Sequence, residues 1–378
     1  MRIAVLGGGP AGLYFAYLWK RRHPQTEITL YEQNPADATW GFGVVLSERA
    51  LEFLRVDDPE TADLITLHLE NWRNMTLDLR GERLVLDGIG FSAIGRLKLL
   101  QLLQQRVYSV GIEPKFHTPV QSLEGLRDVD LIIGADGLNS IVRRSFENEF
   151  GTSMHFASNK FIWYGTSKRF ETLSQTFVET ALGCFNAHHY RYAADMSTFL
   201  IECDAQTWIR YGFATKPSEE SKAICEQVFS RTLDGHPLFS NNSVWRNFPW
   251  VWNKRWYFRN MVLVGDALHT AHFSIGSGTR LAIEDVLALV QALEAENDIS
   301  RGLARYQAQR CPIVETFVEA AKASADWYEN FPAHMRLDPL HFAYSYITRS
   351  GRVDDARLRK MSPAFMARFE TARSKATG

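Results

Sequence analysis

Cysteine is scarce in this chain: Cys184, Cys203, Cys225 and Cys311 are the only four in 378 residues, and they lie far apart. No C-x-x-C pair exists, so neither a disulfide framework nor a zinc cage is suggested, and no metal site is expected. That usage suits a reducing cytoplasm. Long apolar runs are missing as well. Nothing approaches the roughly 18 consecutive apolar residues of a membrane span, and the short N-terminal apolar run, broken by glycines, does not read as a signal peptide. Neither sign of charge is in excess, since 42 Lys and Arg face 43 Asp and Glu. Nothing electrostatic therefore points to nucleic acid or an anionic membrane as a partner. Repeats, low-complexity tracts and linkers are absent too. What remains is 46% hydrophobic and 22% charged, the balance of an ordinary globular enzyme with one large or two interleaved domains, as a monomer or homodimer.

The first fourteen residues, MRIAVLGGGPAGLY, organise the rest. Ile3 to Leu6 reads as a short buried strand, and Gly7-Gly8-Gly9-Pro10-Ala11-Gly12 fits G-x-G-x-x-G where a helix begins. Gly7 allows the tight turn, Gly9 a close backbone approach to a pyrophosphate, and Gly12 close helix packing. A helix N-terminus there offers free N–H groups and a positive dipole end. A second strand, Glu27 to Tyr31, runs into Glu32, where an acid can hold a ribose diol, with Gln33 beside it. Strand, glycines, helix, strand and acid in this order predict a bound dinucleotide.

Further along, GFGVVLSERALEFL, Gly41 to Leu54, leaves its backbone open at Gly43 and Val44 before a short helix expected from Ser47, and its position suggests contact with the cofactor's far half. Leu69 to Leu86 alternates as strands around a turn at Gly81. Arg96 opens a helix with Leu97, Leu100, Leu103 and Val107 on one face; a cation at a helix start is unfavourable as mere surface, so a phosphate or ribityl contact is preferred. Ile112 to Phe116 and Asp130 to Ile133 read as further strands. The second leads into GADGLNSIVRRSF, where Asp136-Gly137 turns and Asn139 or Ser140 can cap a helix. From Lys160 to Glu202 the period becomes two, the mark of an antiparallel sheet. His188 and His189 are strand neighbours, so they point to opposite faces and cannot share an ion. Pro217 to Leu233 reads as helix. Trp245, Trp250, Trp252 and Trp256 read as interface core, or as an aromatic wall for a planar substrate. The strand Met261 to Val264 then meets GDALHTAHFSIGSGT. There Asp266 sits at a strand end, and Gly276, Ser277, Gly278 and Thr279 lead into an apolar helix, a second backbone cradle. His269 and His272 are loop histidines that read more readily as positional than as acid–base groups. Ser300 to Tyr328 reads as a long helix, and the tail carries Arg349, Arg352, Arg357, Arg359 and Lys360.

Three of these stretches resemble the fingerprints of single-component FAD aromatic hydroxylases of the para-hydroxybenzoate hydroxylase class: the glycine loop with Glu32, the segment Asp136 to Arg143, and Gly265-Asp266-Ala267-Leu268-His269. The resemblance spans residues 1 to about 290 and implies an α/β fold, with a Rossmann-like FAD-binding domain interleaved with an antiparallel substrate domain and a helical C-terminus. Residues 1–70, 96–155 and 256–330 would form the first domain, 71–95 and 156–255 the second, and 331–378 the terminal segment. It also implies that Glu32 holds the adenosine ribose, that Arg96 and Asp266 meet the ribityl and pyrophosphate part, and that Gly276 to Thr279 face the isoalloxazine. Asp136 would link the FAD and NADPH sites. Two departures stand out: His272-Phe273 replaces the usual proline pair, and Ser277 the usual glutamine. With NKFIWYGTS and the C-terminal ADWYENFPAHMRLDPLHFAYSYITRSGRV, the chain looks like the branch containing salicyloyl-CoA 5-hydroxylase, the monooxygenase half of 2-aminobenzoyl-CoA monooxygenase/reductase and the violacein-pathway hydroxylases, and most like its aryl-CoA members.

The expected chemistry is NAD(P)H-dependent ring hydroxylation of an ortho-hydroxy or ortho-amino aryl-CoA. Hydride reduces FAD, O₂ adds at its C4a atom, and the ring attacks the distal oxygen of that hydroperoxide. Tyr164, His188 and His189 are the candidate side chains to hydrogen-bond the ring's activating group, and His272 is a further candidate catalytic residue. Rival readings are a hydroxylase of a free indole or other small aromatic, a flavin reductase or dehydrogenase that never activates oxygen, and a non-catalytic flavin-binding partner.

Overall fold

In the computed structural model, residues 1–47 and 52–377 are described. The N-terminal strand Arg2–Leu6 lies at the heart of a five-stranded sheet, with Glu27–Tyr31 on one side and Leu131–Gly134, Met261–Leu263 and Tyr257–Phe258 on the other. All neighbours are parallel except the last pair. Parallel strands must be buried on both faces, and Ile3, Val5, Leu131 and Ile133 are fully covered. The helix Pro10–Arg22 follows the glycine loop with Pro10 in its first turn. Its residues Leu13 to Leu18 are all buried, because it packs between the helices Arg96–Ser109 and Gly278–Glu294. A helix apolar all round is one enclosed on every side.

The expected strand over Ile112 to Phe116 does not form. Only Lys115 bridges Tyr31, accepting from Glu32 N–H and donating to Leu30. Pro114 has no N–H to extend the ladder, and His117 adopts a positive φ of 52°. The segment after Gly41 also differs from expectation. Gly43–Ser47 is a strand, paired to Phe91–Gly95, which in turn pairs to Glu70–Trp72. The short helix does not start at Ser47, which ends this strand; residues 48–51 lie outside the described residues, and the next described helix is Glu52–Asp57.

A second, eight-stranded sheet is built on Thr152–Thr166, Leu173–Thr180, Gly183–Arg191 and Ser197–Cys203. The hairpin Met75–Leu79 and Glu82–Leu86 extends it, joining Leu173–Thr180 in parallel. Arg246–Asn253 pairs with the long first strand through a register shift near Pro249. One face packs on the helices Ala205–Arg210, Ser218–Val228 and Ser230–Leu233 around Phe185, Phe199 and Phe229. The opposite face meets the end of the 31-residue helix Ile299–Glu329 and the C-terminal helices around Phe177, Trp327, Phe342 and Tyr346. Among the described residues no helix is long and apolar enough to cross a membrane.

Candidate active site

The three motif segments, far apart in sequence, meet at the C-terminal ends of the parallel strands. Gly7 adopts φ 106°, and a Cβ there would strike Ala135 O at 2.3 Å. A Cβ on Gly12 would lie 1.9 Å from Gly7 O, whereas one on Gly9 would meet nothing within 4 Å. Gly7 and Gly12 are thus closed by the protein's own backbone, while Gly9 opens onto free space in front of the helix N-terminus. Gly137 and Gly278 open in the same way. The Glu32 carboxylate accepts from Gly8 N–H at 2.7 Å and from Asn34 N–H at 2.8 Å, which fixes it beside the loop. Gln33 is exposed.

Asp136 accepts from Ile141 N–H at 2.6 Å through one oxygen, while the other is buried without a partner. Burial pushes its carboxyl up. Ser140 caps the helix Ile141–Ser145, and Arg143 ties the segment to Ala267 O at 2.9 Å. Arg96 and Asp266 are walled by protein yet accessible on one side, as groups on the floor of a cleft are. Burial raises the Asp266 carboxyl, and Arg96 opposes the rise. Facing them, Gly43 is held by the second sheet through Thr198 Oγ1 at 2.8 Å and Tyr190 O–H at 2.9 Å. Across the cleft a Cβ on Gly276 would stand 3.5 Å from the side chain of Val45, next to Val44. The open glycines, the orphaned Asp136 oxygen and the lone Arg96 guanidinium are what a dinucleotide's phosphates and polyol would engage, so this donor set fits FAD.

Beneath the Gly265-Asp266 turn lies a buried cluster that sequence reasoning missed. Asp285 accepts from His269 Nε2 at 2.8 Å, Arg310 Nε at 2.9 Å and Gly265 N–H at 3.2 Å. His269 is therefore a strut of the cradle. No local pattern announces Asp285 and Arg310, which sit inside ordinary helices.

Beyond the cradle the loop His272–Thr279 faces the second sheet, and strand alternation decides which candidates reach it. His188 points toward the loop, with its ring 5.4 Å from that of Phe273. His189 points away, bonding Thr176 Oγ1 at 2.9 Å and stacking on Phe199. Tyr164 lies on that far face as well, among the packing helices. Neither Tyr164 nor His189 is brought to the cleft. His272 is, with Nδ1 2.8 Å from Ser274 Oγ and its ring among Phe248, Trp250 and Phe273. Phe161, 5.0 Å from Phe273, completes an aromatic wall. A second missed residue, Glu202, is buried beside His188, which is the nearest cation-forming group at 3.6 Å. Its carboxyl is pushed up to about 7 by burial, against the pull of His272 and Asn159.

A family model described as an FAD binding domain matches residues 127–321. Salicyloyl-CoA 5-hydroxylase of a Streptomyces species is 39% identical over 93% of this chain and 70% of its own length. 3-Hydroxy-4-methyl-anthranilyl-[aryl-carrier protein] 5-monooxygenase of Streptosporangium sibiricum is 36% identical over 88% and 90%. The chain belongs to the FAD-dependent aromatic hydroxylases. This hydroxylase is also 33% identical to protodeoxyviolaceinate monooxygenase of Chromobacterium violaceum, over 96% of each chain. Its fold matches that of 2-methyl-3-hydroxypyridine-5-carboxylic acid oxygenase with a TM-score of 0.72, at 16% identity over 97% of each chain.

The basic tail of the hydroxylase does not act as one patch. Arg349 turns inward, donating to Ser324 Oγ, Tyr346 O and Ser274 O at 2.7–2.9 Å and covering the Tyr346 ring at 3.9 Å. It braces the His272–Thr279 loop from behind. Arg357 bonds Arg352 O, Arg359 pairs with Glu370, and Arg352 stands over the Phe317 ring at 4.4 Å.

Proposed function

We propose that this enzyme uses NAD(P)H and O₂ to hydroxylate the ring of an ortho-hydroxy or ortho-amino aryl thioester, the acyl group being carried by coenzyme A. The observation that carries the reading is the extent of likeness to the salicyloyl-CoA hydroxylase, 39% over 93% of the chain. A relative named for a ring borne on a carrier protein lends support, since that too is an ortho-substituted acyl group on a carrier. Gly9, Pro10, Ala11 and Gly12 would hold the pyrophosphate, Glu32 the ribose, Arg96, Asp136, Gly137 and Asp266 the polyol and phosphates, and Gly43, Val44 and Gly276 to Thr279 the ring system. When bound, FAD supplies hydride acceptance and oxygen activation.

The chain's own residues do the rest. Phe161, Phe248, Trp250 and Phe273 stack on a planar ring and exclude water, which strengthens every polar contact inside. His188, His272 and Glu202 offer polar atoms to one edge of that ring. Four thiols that form no disulfide fit work in a reducing cytoplasm.

The test is a screen of aromatic acids, indoles and their CoA thioesters for stimulated NAD(P)H oxidation, with products identified. Hydroxylated salicyloyl-CoA or 2-aminobenzoyl-CoA supports the reading. Turnover of free aromatics alone, or oxidation without any oxygenated product, overturns it.

A further inference from the structure

Glu202 has no counterpart among the residues that hold FAD, and burying a carboxyl without full pairing is costly. Its surroundings set its polarity. Tyr328 O–H donates to Gln175 Oε1 at 3.3 Å, and Gln175 Nε2 donates to His188 Nδ1 at 2.9 Å. That order leaves the proton of neutral His188 on Nε2, aimed at Glu202 Oε2 from 3.6 Å, too long for a hydrogen bond. Glu202 Oε1 accepts from Asn159 Nδ2 at 2.9 Å. Both Glu202 Oε2 and His188 Nε2 are buried without a hydrogen-bond partner. His272 comes toward the same carboxyl from the His272–Thr279 loop, and Tyr328 and Glu329 from the long helix, while Arg349 of the C-terminal segment acts on His188 and His272. The half-paired acid thus sits between the aromatic wall and the loop.

We propose that Glu202 Oε2 accepts the proton of an ortho-hydroxyl group on the bound ring, with His188 and Asn159 as positioning residues. The inference rests on the proposed hydroxylation and narrows its substrate to rings bearing hydroxyl rather than amino. The substrate O–H bond breaks, its electron pair stays on the ring oxygen and enriches the carbon para to it, and the proton moves to the carboxylate. In the full reaction ring C–H, O₂, NAD(P)H and one proton give ring C–OH, water and NAD(P)⁺. The proton held by Glu202 is consumed in water formation, and the hydrogen lost from the ring carbon restores the substituent's O–H. An aromatic amine is too weak an acid to be deprotonated this way and makes no such demand on the carboxylate.

The experiment compares the wild-type holoenzyme with E202Q, which keeps the acceptor for Asn159 but cannot take a proton. With salicyloyl-CoA, kcat is expected to fall by about 10²–10⁴-fold with little change in KM. With 2-aminobenzoyl-CoA the fall is expected to be at least tenfold smaller. Equal losses on both thioesters would reduce Glu202 to a structural group and overturn the inference. Infrared difference spectra without substrate supply an independent reading: a protonated carboxyl band that titrates near neutral pH in the wild type and is missing in E202Q supports the proposal, and no such band overturns it. Wild-type enzyme inert toward both thioesters would instead fail the substrate reading, and the band would still decide the role of Glu202.

Discussion

At the scale of single residues, the glycine loop separates two kinds of constraint that a motif writes identically. Gly9 has φ −76°, open to any L-residue, and free space at its Cβ position. Gly9→Val should therefore fold normally and lose its flavin, giving colourless protein with an unchanged far-ultraviolet spectrum. Gly12→Val drives a methyl-bearing carbon into Gly7 O, and overpacking against backbone has no cheap relief. It should fail to accumulate as folded protein at all, and equal yellow colour in both variants would refute this placement of the pyrophosphate. The same scale shows what strand alternation can and cannot tell. Opposite faces for His188 and His189 follow from a period of two, but which face meets the cleft depends on where the helices pack.

Elements are where distant motifs become one site. The helices Gly278–Glu294 and Ile299–Glu329 carry Asp285 and Arg310 under the Gly265-Asp266 turn, and this buried cluster fixes the turn as a second-layer strut. Removing Asp285 leaves His269 Nε2 and Gly265 N–H buried without that acceptor, while Arg310 keeps Glu284 at 2.9 Å, and breaking such a buried cluster costs about 3–5 kcal/mol. Asp285→Ala should therefore lower the unfolding free energy by that amount, read from denaturant titration, and weaken FAD retention, read by gel filtration of the yellow protein. Arg349→Ala is expected to act differently, because it braces the His272–Thr279 loop from outside the cradle. FAD should stay bound while hydroxylation falls and NAD(P)H oxidation uncouples from product. A raised KM for the thioester without uncoupling would show a phosphate-binding arginine instead.

Across the whole molecule, buried titratable groups set the response to acid. Burial lowers His188 and His189 to about 3 and His272 to about 4, from an ordinary value near 6.5. The unfolded chain then binds more protons than the folded one between those values, so each contribution is intact above about 6.5 and lost as pH falls. Glu202, raised from 4.5 to about 7, works the other way: it favours folding at low pH and loses that advantage as pH rises through 7. Asp136 and Asp266, also raised by burial, oppose the histidines at the acid end. Three histidines outweigh one glutamate over pH 5–6.5, so the melting temperature should climb across that window. In E202Q the climb should be steeper, and a flatter curve would mean that the carboxyl is not raised.

What the sequence determined by itself was everything written in local chemistry: the strand, glycines and acid of the first fold unit, a helix cap at Asn139 or Ser140, the period-two sheet, the long helix over Ser300 to Tyr328, and through three ordered motifs the flavin chemistry. The failed strand at Ile112 to Phe116 shows the limit of such reading, since Pro114 and the left-handed His117 prevent the ladder there. Tertiary structure alone decided which alternating face meets the cleft, setting Tyr164 and His189 on the other. It alone brought in Glu202, Asp285 and Arg310, whose surrounding sequence is that of ordinary strands and helices. Their roles arise from burial beside groups 14 to 43 residues away, and a linear pattern holds no record of the low dielectric that such packing creates.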